Sequence, residues 1–314
     1  MTWYDTVPSA DVSPESAQVL RRLGDLLAGA IPDVRAGQMW RATWDGVTVT
    51  GIVLDADVAD ATVELAPFTV DVDYADAYTG IVPAVYNPVG VDLAVFSGLT
   101  APLPAMTLDR CLGQVSASTL EALVALWRAN LTGLTHKDSE LATGTPDVDA
   151  ADPRRDYRNT LRAQLAEIQM ADLLADTAEG TTDIDLPERL LAAGLAPSDL
   201  VTDSVSLSYA RQAAEGNAPV TRSLAERIAE LLGEPDATVF ETDGPALPPA
   251  LAACLASPRA FSVVREIMQN EDLNEVAAAR RIPAMVKFRR IDRQEGESEQ
   301  QFWANALDML RHTE

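Results

Sequence analysis

The spacing of apolar residues changes its period along the chain. A helical period over 14–30 gives way to short stretches that predict strands, and Asp45-Gly46 marks a hairpin turn between the first two. The strand segments lie at 38–44, 47–54, 61–67, 82–85 and 92–96. A helix capped by Ser116 or Ser118 is predicted over 116–131. Short strands separated by turn residues predict a small β-barrel in this part of the chain.

Two stretches without any period divide the rest of the chain. Residues 135–153 are rich in Thr, Asp, Gly and Pro, and four prolines lie in or beside 236–249. Elsewhere the period is helical, at 156–178, 186–193, 197–203, 206–214, 221–232, 250–256, 258–270, 271–280 and 297–311. The sequence therefore predicts an α+β protein in three parts: a small β-barrel with flanking helices at 1–135, an all-α domain at 154–235, and a helical C-terminal region at 250–314.

Charge distinguishes the C-terminal part from the remainder. The chain of 314 residues has a net charge of −24, of which −11 falls on 1–140, −12 on 141–249 and only −1 on 250–314. Because an acidic surface repels phosphate, the C-terminal part opposes the binding of nucleic acid less than the other two parts do.

Signals for membranes and export are not found in the sequence. No run of apolar residues approaches the roughly 18 needed to span a bilayer, and residues 1–5 lack the features of a signal peptide. Cys111 and Cys254 have apolar neighbours and are expected to be reduced core thiols. These observations predict a cytoplasmic protein that does not associate with membranes.

Four segments of the front part, taken in order, resemble the PemK/MazF-like family of small SH3-like barrels, best known as endoribonuclease toxins. Val-Arg-Ala-Gly-Gln-Met-Trp at 34–40 resembles the opening strand of that family, and Gly-Ile-Val-Leu at 51–54 its second strand. The stretch at 63–69 is similar to a strand that ends in Pro-x-Thr, and 106–116 to a late segment that leads into a turn. The resemblance implies an SH3-like β-barrel.

The chain departs from the family at the position on which ribonuclease activity depends. The family places an Arg just before its second strand to stabilise charge at the scissile phosphate, and the matching position here is Val49 or Thr50. The family's Thr after the third strand is kept as Thr69. The resemblance therefore implies a catalytically dead barrel without catalytic residues, used for folding, pairing or binding a partner.

A second set of segments resembles a helix-turn-helix of the phage-repressor, Xre/Cro-like type. The stretch at 190–201 is similar to the family's first helix, its turn and the start of its second helix, and 205–212 to the opening of its recognition helix. Glu-Gly-Asn-Ala-Pro at 215–219 resembles the exit from that helix, and 224–234 is a close match to the final helix that ends in Leu-Gly.

The resemblance implies that the first turn of the recognition helix reads the major groove of double-stranded DNA. The expected contacts are Ser206, Ser208, Tyr209, Arg211 and Gln212. The alternative is a helical scaffold that keeps the fold without the DNA contact, because Arg211 is the only basic residue in this helix.

Two further groups of basic residues stand out. Arg154, Arg158 and Arg162 share one helix face, with Arg155 beside them, and predict either a phosphate-binding strip or a solvated face that balances nearby acids. The tail has a stretch with a higher density of basic residues. We expect this stretch to contact phosphate or an acidic partner, or to dock on the protein's own acidic domains. Its members are Arg280, Arg281, Lys287, Arg289, Arg290 and Arg293. The amphipathic helix that follows, at 297–311, is suited to packing or oligomerisation.

No pattern in the sequence predicts a cofactor or a metal site. His136 and His312 are isolated, and the acidic clusters at 55–60 and 71–76 do not fit a calcium-binding loop. Three functional hypotheses remain. The first is a DNA-binding transcriptional regulator, repressor-like or antitoxin-like, that pairs with a protein partner or forms a homo-oligomer. The second is an interaction protein with neither activity, and the third is an endoribonuclease that acts through the barrel.

Overall fold

The protein is described by a computed structural model that covers residues 31–57, 59–132, 141–146, 152–174, 186–202, 205–242, 244–271 and 273–311. The helix predicted over 14–30 and both histidines lie outside these residues. The described parts form two compact units, Met1–Ala171 and Asp172–Glu314. The fold is α+β, with an antiparallel sheet in the first unit and mainly helices in the second.

The N-terminal unit is built on an antiparallel sheet of eight described strands. They are β1 (Gln38–Trp44), β2 (Val47–Asp57), β3 (Thr62–Thr69), β4 (Gly80–Val82), β5 (Leu93–Val95), β6 (Ala101–Pro104), β7 (Leu108–Gln114) and β8 (Ala142–Thr143). The strand order is β7-β1-β2-β3-β5-β4-β8, and β6 also pairs with β3. Because β7 and β8 end this path, the sheet is open.

The first hairpin forms for the reason that the sequence indicates. Trp44 pairs with Val47 across Asp45-Gly46, and both turn residues have positive φ, 47° for Asp45 and 77° for Gly46. This is the backbone of a type I′ turn, whose twist matches that of the two strands. The strand predicted over 82–85 is wrong in its bounds: β4 ends at Val82 because Pro83 has no N–H for the ladder.

Two of the described α-helices belong to the N-terminal unit. The first, α1 (Ala117–Thr132), places Leu123 in the core of the sheet and packs Leu120, Val124 and Trp127 against it, on the face that the spacing predicts. The second, α2 (Pro153–Gln169), is capped by the Asp152 side chain and buries Leu161, Leu165 and Ile168. It packs on β1, β2 and β6. The sequence pattern groups α2 with the domain at 154–235, whereas the structure joins it to the sheet.

The C-terminal unit contains seven described α-helices. They are α3 (Leu186–Ala192), α4 (Leu207–Ala214), α5 (Arg222–Leu232), α6 (Pro249–Leu255), α7 (Pro258–Glu271), α8 (Glu275–Phe288) and α9 (Glu299–Arg311). A 3₁₀ turn at Pro197–Leu200 stands where a helix over 197–203 is predicted. After it, the backbone N–H groups of Thr202 and Val205 each donate to the other's carbonyl.

The tail helices differ from the prediction in one place. The helix predicted over 271–280 is α8, which starts at Glu275 with Asn274 as its cap and continues to Phe288 through Pro283. Pro283 costs the helix one backbone hydrogen bond, but Ala278, Ala279 and Ile282 are fully buried and hold the helix in place. Across the described residues, the structure contains no helix with the length and apolarity required to cross a membrane.

Candidate nucleic-acid interface

The helix that is expected to read DNA, α4, is positioned by a cap and by its burial. The Ser206 hydroxyl accepts a hydrogen bond from the backbone N–H of Tyr209 at 3.2 Å, which fixes the start of the helix. Five of the eight residues of α4 are buried: Tyr209, Ala210, Gln212, Ala213 and Ala214. Most of the helix therefore belongs to the core of the unit, and only a narrow edge faces outward.

Two of the predicted DNA contacts are part of that core. The Tyr209 side chain is fully buried and its hydroxyl donates to the carbonyl of Pro219 at 3.0 Å. Burial raises the pKa of Tyr209, because the charged phenolate is disfavoured away from water. The Gln212 side chain is 6% exposed and donates to the Ser208 hydroxyl at 3.2 Å. Neither side chain is placed to reach a base edge.

The exposed edge of α4 carries Ser206, Leu207 and Arg211, with Ser208 half-buried beside them. Ser206 is also occupied as the helix cap. Arg211 therefore remains as the side chain on this edge with both the charge and the reach for guanine or phosphate. The exposed Leu207 adds an apolar surface of the kind that contacts a thymine methyl group.

The basic stretch of the tail divides into a buried part and an exposed part. Arg280 and Arg281, both in α8, are buried, whereas Lys287, Arg289, Arg290 and Arg293 are exposed. Because they are buried, neither Arg280 nor Arg281 is placed on the surface to contact phosphate. The exposed four lie at and just after the end of α8, with the exposed ring of Phe288 among them.

Arg281 connects the two predicted sites. Its Nε donates to the Glu271 carboxylate at 2.9 Å, and its Nη1 donates to the Gln212 amide oxygen. The guanidinium also lies over the Tyr209 ring. Since an α-helix rises 1.5 Å per residue, the exposed Lys287 lies about 9 Å further along α8 than this contact. The contact thus joins α4 to the helix after which the exposed arginines of the tail follow.

Sequence reasoning missed the Arg281 contact for a simple reason. Gln212, the hydrogen-bond partner of Arg281 on α4, lies 69 residues earlier in the chain, and helical periodicity identifies a buried face without identifying what covers it. The sequence does contain a signal for the burial of Arg280 and Arg281, because these residues directly precede the apolar run Ile282 to Val286 within one helix.

The tail helix α9 uses its apolar face inside the unit. Trp303, Ala306, Leu307 and Leu310 are buried, and α9 packs on α6 and α7. Of the two roles predicted for this helix, packing is the one that accounts for these four side chains.

In the N-terminal unit, the positions matched to catalytic residues of the toxin family are engaged in packing. Val49 is buried, and the Thr50 hydroxyl donates to the carbonyl of Phe68 at 3.4 Å. The Thr69 hydroxyl accepts from the backbone N–H of Asp71 and hydrogen-bonds the Tyr157 phenol of α2. The arrangement therefore provides no guanidinium at either position matched to the family's arginine.

One carboxylate in each acidic cluster caps a turn. The Asp57 carboxylate accepts from the backbone N–H groups of Ala59 and Asp60, and Asp71 accepts from that of Asp73. Within the described ranges, no three His, Cys, Asp or Glu side chains are grouped so that they could hold a metal ion.

Comparison with known proteins finds no family model that matches the chain and no curated protein that matches it.

Proposed function

We propose that the C-terminal unit binds double-stranded DNA and acts as a sequence-specific transcriptional regulator of the Xre/Cro helix-turn-helix type, in the cytoplasm. The observation that carries this proposal is the Arg281 contact, which joins α4 to α8, and the exposed cations Lys287, Arg289 and Arg290 lie at and just after the end of α8. A DNA-binding surface needs both a side chain that reads bases and a group of cations that neutralises phosphates.

The division of labour follows from the exposure of each group. Arg211 supplies base or phosphate contact from the edge of α4, and the end of α8 supplies the phosphate contacts that α4 lacks. Base recognition by this surface is limited, since Tyr209 and Gln212 are buried. A second copy of the chain or a protein partner adds the remaining contacts, as in repressors that bind two half-sites as dimers.

For the N-terminal unit we propose a divergent PemK/MazF-like, SH3-like module that binds a partner and does not cleave RNA. The absence of an arginine at Val49 and Thr50, together with the Tyr157 contact that covers Thr69, supports this assignment. The ribonuclease hypothesis would require a cationic group near Thr69 to stabilise the phosphorane.

The second candidate function is that of an interaction protein without DNA contact. It is favoured by the burial of five of the eight residues of α4, which leaves little of that helix for the major groove. The two functions differ in their dependence on Arg211, which only DNA recognition requires.

A gel-shift experiment distinguishes the two functions. The purified full chain is incubated at low salt with the DNA upstream of its own gene and, separately, with a random duplex of equal length. The DNA-binding proposal expects retardation, with Arg211→Ala weakening the preferred site by about 1–3 kcal/mol and the random duplex less. No retardation of either duplex at micromolar protein would remove this proposal and leave the interaction protein.

A further inference from the structure

A cavity of 460 Å³ lies within the N-terminal unit, between α2 and the loops that flank β4 and β5. Its volume is in the range of ordinary small-molecule sites, about 300–1,000 Å³. One wall is the face of α2 that carries Arg155, Arg158 and Arg162, and the opposite wall includes Tyr78, Phe96 and Gly98.

The charge of this cavity opposes that of the surrounding protein. Three guanidinium groups and one carboxylate, that of Asp76, line it, so the lining side chains have a net charge of +2. The first 140 residues have a net charge of −11. A local excess of positive charge inside an acidic protein focuses an attractive field on small anions.

Two of the three arginines are held in place by different means. Arg158 forms an ion pair with Asp76, whose other carboxylate oxygen accepts from the Thr79 hydroxyl at 2.6 Å and from the backbone N–H of Tyr78. Arg162 donates to the Asn159 amide oxygen at 3.0 Å. The Asp76 carboxylate and the Asn159 amide oxygen thus help to hold these two side chains in the cavity wall.

Repulsion between the arginines marks the position where a negative charge is stabilised. Burial lowers the pKa of Arg158, and the positive charge of Arg162 lowers that pKa further. An anion bound between these two side chains would relieve the repulsion, and guanidinium groups match the oxygens of phosphate in a bidentate geometry.

We propose that this cavity binds a small phosphate monoester, with its phosphoryl group on Arg155, Arg158 and Arg162 and the rest of the ligand against Tyr78. Three cations suit a dianionic phosphoryl group better than a single carboxylate. The exposed Tyr78 ring offers a surface for a ring of the ligand, as in stacking of bases on Tyr. Arg154 does not line the cavity and donates to Asp152 and to the carbonyls of Ala75 and Thr145.

The test is calorimetric titration of the full chain with three probes: adenosine 5′-monophosphate, adenosine and inorganic phosphate. The monophosphate is expected to bind, adenosine to give no binding, and phosphate to bind more weakly than the monophosphate. Arg162→Gln is expected to weaken binding of the monophosphate by about tenfold or more, since hydrogen bonds to charged groups contribute about 1.5–3 kcal/mol. Arg162 is exposed on α2, so this variant retains the fold.

Arg222→Gln is the matched control, because it makes the same charge change at an exposed side chain of the C-terminal unit. It should bind the monophosphate as the natural chain does. Equal binding by adenosine and the monophosphate would overturn the proposal. So would undiminished binding by Arg162→Gln, or no binding of the monophosphate at concentrations of about 5 mM. None of these outcomes depends on whether the C-terminal unit binds DNA.

Discussion

The guanidinium of Arg281 lies 5.1 Å from the centre of the Tyr209 ring, and the two side chains are 2% and 0% exposed. This contact places a charged group of the tail against the helix expected to read DNA. The guanidinium is compensated there by the Glu271 carboxylate and the Gln212 amide oxygen, so a buried polar network joins α4, α7 and α8. Such networks are costly to break, because the groups that remain lose their partners away from water.

Arg281→Met is expected to destabilise the C-terminal unit by about 3–5 kcal/mol, the range for removal of one partner of a buried ion pair. Hydrogen exchange at the α4 amides, measured by mass spectrometry, reports this loss directly. Arg222→Met removes an exposed pair with Glu226 and should change stability by only about 0.5 kcal/mol. Equal protection of α4 in the two variants would show that the Arg281 network does not stabilise the unit.

The exposed cations at the end of α8 should determine the salt dependence of DNA binding. Replacing Lys287, Arg289 and Arg290 with Gln is expected to reduce the slope of log K against log salt by about 0.9 for each phosphate that is no longer neutralised. Gel shifts at several salt concentrations give the slope. Arg222→Gln serves again as the charge control at a single site, and an unchanged slope in the triple variant would place the phosphate-binding cations elsewhere.

Asp76→Ala is expected to destabilise the N-terminal unit by about 3 kcal/mol or more, because it removes the carboxylate that compensates Arg158. The variant also removes the acceptor for the Thr79 hydroxyl and the Tyr78 N–H. Urea unfolding followed by circular dichroism measures the change. Asp57→Ala, at an exposed turn, is the control and should lower the free energy of unfolding by about 1 kcal/mol or less.

The Tyr157 phenol should ionise late in an alkaline titration of the folded protein. Its pKa is raised from 10, chiefly by burial, with the nearby Tyr74 and the charge of Asp71 adding to the shift and the Thr69 hydrogen bond opposing it. The folded state thus favours the neutral phenol. Its contribution to stability is complete below pH 10 and is lost as the pH rises through the folded pKa.

Tyrosinate absorbance in the near ultraviolet checks this expectation. Tyr157→Phe should remove one late-ionising phenol. If the late phase were unchanged in this variant, the burial of the Tyr157 ring against Tyr74 and Phe96 would be contradicted.

Local chemistry explains which parts of the fold could be predicted. The Asp45-Gly46 turn and the Ser206 cap depend on close neighbours in the chain, and the sequence locates both. The spacing of apolar residues does not predict strand β7, because Asp109 and Arg110 break its pattern. The reason is pairing across the sheet: Asp109 is buried in an ion pair with Arg41 of β1.

The candidate sites depend even more on residues that are distant in the sequence. Periodicity identifies the arginine face of α2, but whether that face meets solvent or a cavity depends on Asp76 and Phe96, which lie about 60–80 positions earlier in the sequence. In α4, the residue types indicate DNA contact, while the burial of Gln212 depends on Arg281. Contacts between residues so distant in sequence are decided by tertiary packing, which a local pattern does not encode.

The Arg281 network also bears on how this chain can be recombined. A gene fusion that transferred residues 186–242 alone would separate Gln212 and Tyr209 from Arg281. The Gln212 amide oxygen would then lack its hydrogen-bond donor, and the Tyr209 ring would lack the guanidinium that covers it. A crossover anywhere between 242 and 275 has the same effect. The segment of this protein that can be exchanged as a unit therefore extends from α3 to α9, and recombination of α4 must include the tail.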